Sequence, residues 1–192
     1  MSKRFVFALI AAAAAGALLG AGAIALVHAP RQSSAPAVVS KPNWTEVKWP
    51  FPMDQWGTGK AFRCAAADCG SEVGLYVRVK IGFCNCTTGV ADDEELDRVA
   101  DFELFTPRQS PVGPGREISV GVMKGRSRGY LIADPAVSSA KSMLAIAYNE
   151  RCDVIVATVA MQNDQPTAIE ASALEFLKGD AVMQWAALKL GL

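Results

Sequence analysis

The five cysteines are the residues whose type and spacing point most directly to chemistry. Cys64 and Cys69 bracket four residues, Cys84 and Cys86 bracket one, and Cys152 stands far downstream. Thiols so arranged can form crosslinks, bind soft metal ions, or exchange with other disulfides. Which use applies depends first on compartment, because disulfides persist where the surroundings are oxidising.

The N-terminus addresses that question. Lys3 and Arg4 precede an uncharged run from Phe5 to Val27. As a helix rising about 1.5 Å per residue, that run spans roughly 34 Å, enough to cross a hydrocarbon core. Ala23-Ile24-Ala25 and Val27-His28-Ala29 also have the small-x-small character of a cleavage site, although Pro30 follows the second awkwardly. Residues 1–29 therefore read as a signal peptide or a signal-anchor transmembrane helix. Either way the two cations stay cytoplasmic and everything after Ala29 is exported. The expected location is the cytoplasmic membrane with the C-terminal domain outside, or the periplasm or medium if the segment is cleaved.

In such a compartment the first expectation is a disulfide scaffold drawn from Cys64, Cys69, Cys84, Cys86 and Cys152. An odd count leaves at least one thiol over within a chain. A bond between Cys84 and Cys86 would close a very small ring, so pairing of one or both with Cys64 or Cys69 is expected. That would staple the loop after Gly57 to the end of the next strand, with Cys152 as the fifth thiol, buried or bonded to the cluster. The alternative is a thiolate site in which Cys64, Cys69, Cys84 and Cys86 hold Cu(I) or Zn(II). Their spacings are not those of C-x2-C knuckles. A thiol-redox role has no C-x-x-C motif behind it.

Other chemistry is thinly provided. The lone histidine, His28, lies in the N-terminal segment, so the exported part has neither a histidine-based triad nor a His-rich metal site. No phosphate-binding glycine loop occurs, and Gly125-Arg126-Ser127-Arg128-Gly129, although spelled G-x-S-x-G, falls on an expected connection between strands and not at a strand-to-helix nucleophile elbow. Met123, Met143 and Met161 are scattered and suit core packing. Asp68 and Glu72 suit a solvated loop. Trp44, Trp49 and Trp56 suit anchors of a small core better than an apolar groove. The balance leans away from an enzyme.

Positioning these residues requires a folded domain, and 192 residues allow one. Residues 30–43 carry Pro30, Pro36 and Pro42 with three serines, and read as a flexible tether. The exported domain is residues 44–192. Trp44 to Trp49 alternates as a first strand. Val73, Leu75, Val77, Val79, Ile81 and Phe83 recur every second position, predicting a long strand with one core face and one partly wet face carrying Tyr76, Arg78 and Lys80. Asp92 and Glu95 form a capping box for a helix running to Leu104 or Phe105. Ile118–Met123 and Tyr130–Ala133 read as strands joined across Lys124-Gly125-Arg126-Ser127. Ser142–Asn149 and Cys152–Met161 form a hairpin turning near Glu150-Arg151, its second strand apolar on both faces. Two C-terminal helices follow, the first stopped by Gly179 in a left-handed cap and the second capped by Asp180. The fold class is α+β: a mainly antiparallel sheet covered on one side by helices, preceded by the N-terminal apolar helix.

Charge sets the class of partner. Lys+Arg and Asp+Glu both number 19, which argues against nucleic acid. Two of the basic residues, Lys3 and Arg4, precede the tether, leaving 17 against 19 acidic side chains in the remainder. Acidic residues gather between Asp92 and Glu103, where calcium is not indicated because the alternation of an EF-hand loop is missing. Arg116, Lys124, Arg126 and Arg128 gather around the hairpin. Both patches suit a solvated surface, with contact to a membrane or exported protein partner as the functional alternative. The function expected is an exported, membrane-tethered accessory or interaction domain without catalysis, its binding surface formed by the long strand, the cysteine loop and the charged patches.

Overall fold

The computed structural model describes residues 42–133 and 140–192. The N-terminal apolar segment and nearly all of the tether lie outside these residues. Among the described residues no helix is long and apolar enough to cross a membrane.

Eight strands form a single antiparallel sheet: β1 (Trp44–Val47), β2 (Lys60–Cys64), β3 (Val73–Lys80), β4 (Gln109–Pro111), β5 (Arg116–Val120), β6 (Met123–Ile132), β7 (Ser142–Glu150) and β8 (Asp153–Met161). Their order is β1-β2-β3-β8-β7-β6-β4, with β5 also paired to β6. β4 and β5 pair in succession along the same strand, opposite Tyr130–Ile132 and Met123–Ser127 respectively. The helices are α1 (Ala66–Cys69), α2 (Asp93–Val99), α3 (Glu170–Leu177) and α4 (Asp180–Leu190), with a 3-10 turn at Phe102–Leu104. The sheet-rich architecture with a few helices is the expected α+β class.

Helices cover both faces, not one. The alternation of β3 sends Leu75, Val77 and Val79 to one face, where Ala173, Leu177 and Val182 of α3 and α4 close a core. Leu96 and Val99 of α2, with Phe102 and Phe105, close a second core over Ala145, Ala147, Val154 and Val156. The hairpin β7–β8 makes this possible. Its two strands are buried along nearly their whole length, so each face needs a cover.

Three local expectations are corrected. The turn between β5 and β6 is Gly121-Val122, not Lys124–Ser127, because Gly121 (φ 60°) can take the first position of a tight two-residue turn. Lys124, Arg126 and Arg128 consequently lie within β6. The Asp92 carboxylate does accept the Glu95 N–H at 2.8 Å, but α2 ends at Val99 and the chain tightens into the 3-10 turn. Gly179 has φ −72° and serves as the N-cap of α4, so Asp180 becomes the first helical residue.

Candidate functional site at the charged face and open edge of the sheet

The cysteines occupy opposite ends of β3. Cys64, closing β2, is bonded to Cys69 at the end of α1. Cys86 is bonded to Cys152 in the turn between β7 and β8. The expected staple between the two close pairs does not form: Cys64 lies opposite Val73 at the start of β3, whereas Cys84 and Cys86 follow its end. Eight residues of strand separate those ends by roughly 26 Å, so Cys64, Cys69, Cys84 and Cys86 do not converge as a thiolate set. Among the described residues no group of three or more His, Cys, Asp or Glu is placed to hold a metal ion.

The unpaired thiol is Cys84 rather than Cys152. Cys84 follows a bend at Gly82 (φ 65°) and is buried in the second core with Leu96, Val99 and Val154. Its N–H donates to Cys152 O at 3.0 Å and its Sγ lies 3.3 Å from Arg151 O. Burial first, then the Glu95 and Asp153 carboxylates, push the Cys84 thiol up to about 11. It is therefore protonated and inert at neutral pH. Native protein treated with a maleimide at pH 7.5 is expected to react very slowly, whereas guanidinium-unfolded, unreduced protein should label once. Rapid labelling of the native state would contradict this burial.

The acidic and basic patches prove to be the two sides of one contact. Arg126 pairs with Asp93, while Arg128 reaches Asp97 at 3.4 Å and Asp93 at 3.7 Å. Tyr130 donates its hydroxyl to Asp97. The Asp93 carboxyl is raised by burial but lowered further by the Gly115 N–H and Arg126, and the net direction is down. A Cβ on Gly115 would stand 2.2 Å from Asp93 Oδ1, so a side chain there would displace this carboxylate from its present contact. Alternation along β6 and helical spacing in α2 thus match cation to anion.

A second ionic group escaped the sequence reading. Arg78 and Lys80, expected on a partly wet face, are only 1% and 2% exposed. Arg78 donates to both Asp101 oxygens, at 2.7 and 2.5 Å, and to Asp54 Oδ2 at 2.6 Å. Lys80 Nζ lies 2.7 Å from Asp101 and donates to Val99 O at 2.7 Å. The ammonium also sits 5.1 Å from the centre of the Phe83 ring and 5.8 Å from that of Trp56. Burial raises the Asp54 carboxyl, but the hydrogen bonds from Arg78 and the Trp56 N–H outweigh it and hold it below its ordinary value. These contacts fix the 54–56 loop and the 3-10 turn on the sheet. On the opposite face, buried Glu170 accepts from Ser127 and Arg116.

The remaining marked residues are structural. Met123, Met143 and Met161 are buried in the two cores. Trp44 packs on Phe176, Trp49 on Phe51 and Tyr76, and Trp56 on Phe83, so the tryptophans do not share one groove. Glu72 forms an exposed pair with Arg63. No protein-family model, no curated protein and no solved structure matches this chain.

What the charged face leaves open is its margin. A cleft of about 520 Å³ is lined by Thr88, Val90 and Ala91 on one side and by Glu117, Ile118 and Ser119 of β5 on the other, over Lys124, Gly125 and Asn149. Asn149 braces the first wall by accepting the Val90 N–H at 3.1 Å. Among the described residues β5 pairs only with β6. Since Val120 and Met123 flank the two-residue turn, the ladder's alternation turns the N–H and C=O groups of Glu117 and Ser119 outward. The cleft therefore offers hydroxyl, ammonium, carboxylate and amide groups beside an open strand edge. That equipment is suited to recognition of an extended chain.

Proposed function

We propose that this chain is an exported, membrane-tethered interaction domain, braced by disulfides and without catalytic activity, whose working surface is the outer edge of β5 and the adjoining cleft. Lys3, Arg4 and the uncharged run that follows them support export, as do two cysteine pairs at bonding distance. The observation that carries the reading is the pair of outward-facing backbone positions, Glu117 and Ser119, beside the cleft described above. Open edges recruit strands, and long side chains on the α2 face of an added strand would reach over Ser119 toward Lys124 in the cleft.

The surface expected from sequence is thereby revised. The long strand β3 is interior to the sheet, and the charged patches are occupied by one another. A photo-crosslinking residue at Ser119 in intact cells is expected to capture a discrete protein adduct, while one at Glu175 on α3 captures none. Absence of any adduct at position 119 would remove the reading. Fractionation of the same cells should place the adduct with the membrane or the exported fraction, and a cytosolic adduct would refute export.

A further inference from the structure

We propose that the occupant of the β5 edge is a second copy of this chain, joined antiparallel about Ile118. This rests on the reading of β5 as an interaction edge and names what fills it.

Register favours this pairing. Centring two antiparallel β5 strands on Ile118 sets Glu117 of each copy opposite Ser119 of the other. These are the residues whose backbone groups face outward, so all of them pair. A shift of one residue would set outward groups against inward ones, and centring on Glu117 would face two carboxylates directly. Centring on Ser119 would leave Glu117 opposite Gly121 of the turn, so the Ile118 register is the one that pairs both outward residues within β5 without opposing two carboxylates.

Charge supplies the second observation. Three cations of β6 share the α2 face, and Arg126 and Arg128 are held in ion pairs. Lys124 has no ion pair among the described residues, and neither does Glu117. Within one chain Ser119 is the direct neighbour of Lys124. Across the two-fold axis Ser119 is the direct neighbour of Glu117 from the second copy. Lys124 and that Glu117 therefore share one face two strands apart, about 10 Å between backbones, over a small serine that both long side chains can bridge. The symmetry makes two such pairs, which also offset the diagonal approach of the two Glu117 side chains. On the other face Ile118 meets its own copy, a β-branched pair at the closest cross-strand position. The same axis carries the β5–β6 tip, where Val122 is 94% exposed, toward the 112–115 segment of the second copy, which begins with an exposed Val112.

The test uses the full chain in detergent micelles, by sedimentation velocity, with charge exchange at residues that carry no fold contact. A dimer is expected. Glu117→Lys or Lys124→Glu alone should each weaken it roughly tenfold, because two symmetric pairs are lost at once. The double exchange should restore most of that loss. Ser119→Pro, which deletes an outward N–H that the monomer does not use, should abolish the dimer while leaving the circular dichroism unchanged. A dimer indifferent to all of these variants would overturn the proposal, since its contact would lie elsewhere. A monomer whose Ser119 crosslink carries a different protein would overturn it while leaving the interaction reading intact. A monomer without any adduct would end both.

Discussion

Replacing Asp101 with alanine is expected to lower the unfolding free energy by about 3–5 kcal/mol, because it strands two buried cations at once. Arg78 and Lys80 are 1% and 2% exposed, and Asp101 is the buried carboxylate that both of them contact. Arg78 would keep Asp54, whose side chain is 36% exposed, and Glu103 lies 3.8 Å away on the surface. Lys80 would keep only the Val99 carbonyl and the two aromatic rings. Neither remnant replaces a buried bidentate carboxylate, so water must enter the second core or the cations must leave it. Asp54→Ala should cost far less, on the order of 1 kcal/mol, because that carboxylate is partly solvated. Guanidinium denaturation of both variants measures the difference. A loss below about 1 kcal/mol for Asp101→Ala would show that the cluster is hydrated and lacks the stated role.

That cluster also marks where the sequence stops being legible. Period-two alternation located β3, the doubly apolar β8 announced a central position, and Asp92 announced the start of α2. Each of these signals is local. Arg78 and Lys80 looked solvated for the same reason, since alternation with charged residues ordinarily means a wet face. Their counterion lies 23 positions from Arg78 and reaches it only because α2 ends early and the 3-10 turn folds down. The β5–β6 turn failed differently. Lys124-Gly125-Arg126-Ser127 has the composition of a hairpin tip, but Arg126 and Arg128 are polar because α2 presents Asp93 and Asp97 to them. A strand whose polar side is covered by a complementary helix reads like a turn when its partner is unseen. The candidate site was less visible still. The edge position of β5 follows from the order of the whole sheet, and no residue within Arg116–Val120 states it.

Cysteine pairing is the remaining nonlocal fact, and it yields the second large effect. Cys152→Ala is expected to cost about 4 kcal/mol, the chain-entropy value for a bond joining residues 66 apart. Cys69→Ala opens a bond between residues only 5 apart, for which the same relation gives about 2 kcal/mol. The larger loss also has a structural site of action. The Cys86–Cys152 bond ties the segment after β3 to the β7–β8 turn, and Thr88, Val90 and Ala91 of that segment wall the cleft. Arg151 beside it is held at φ 56°, a left-handed conformation that a non-glycine residue adopts at a cost of about 1 kcal/mol, so the turn has little to spare. Cys152 is the informative position to change. Cys86→Ser would leave Cys152 next to Cys84, whose N–H already donates to the Cys152 carbonyl, and a substitute bond there would mask the effect. Denaturant midpoints measured without reductant should fall further for Cys152→Ala than for Cys69→Ala. Equal midpoints would mean that the long-range bond does not brace the domain, and the cleft wall would then be held by the burial of Val90 and the Asn149 and Arg126 contacts.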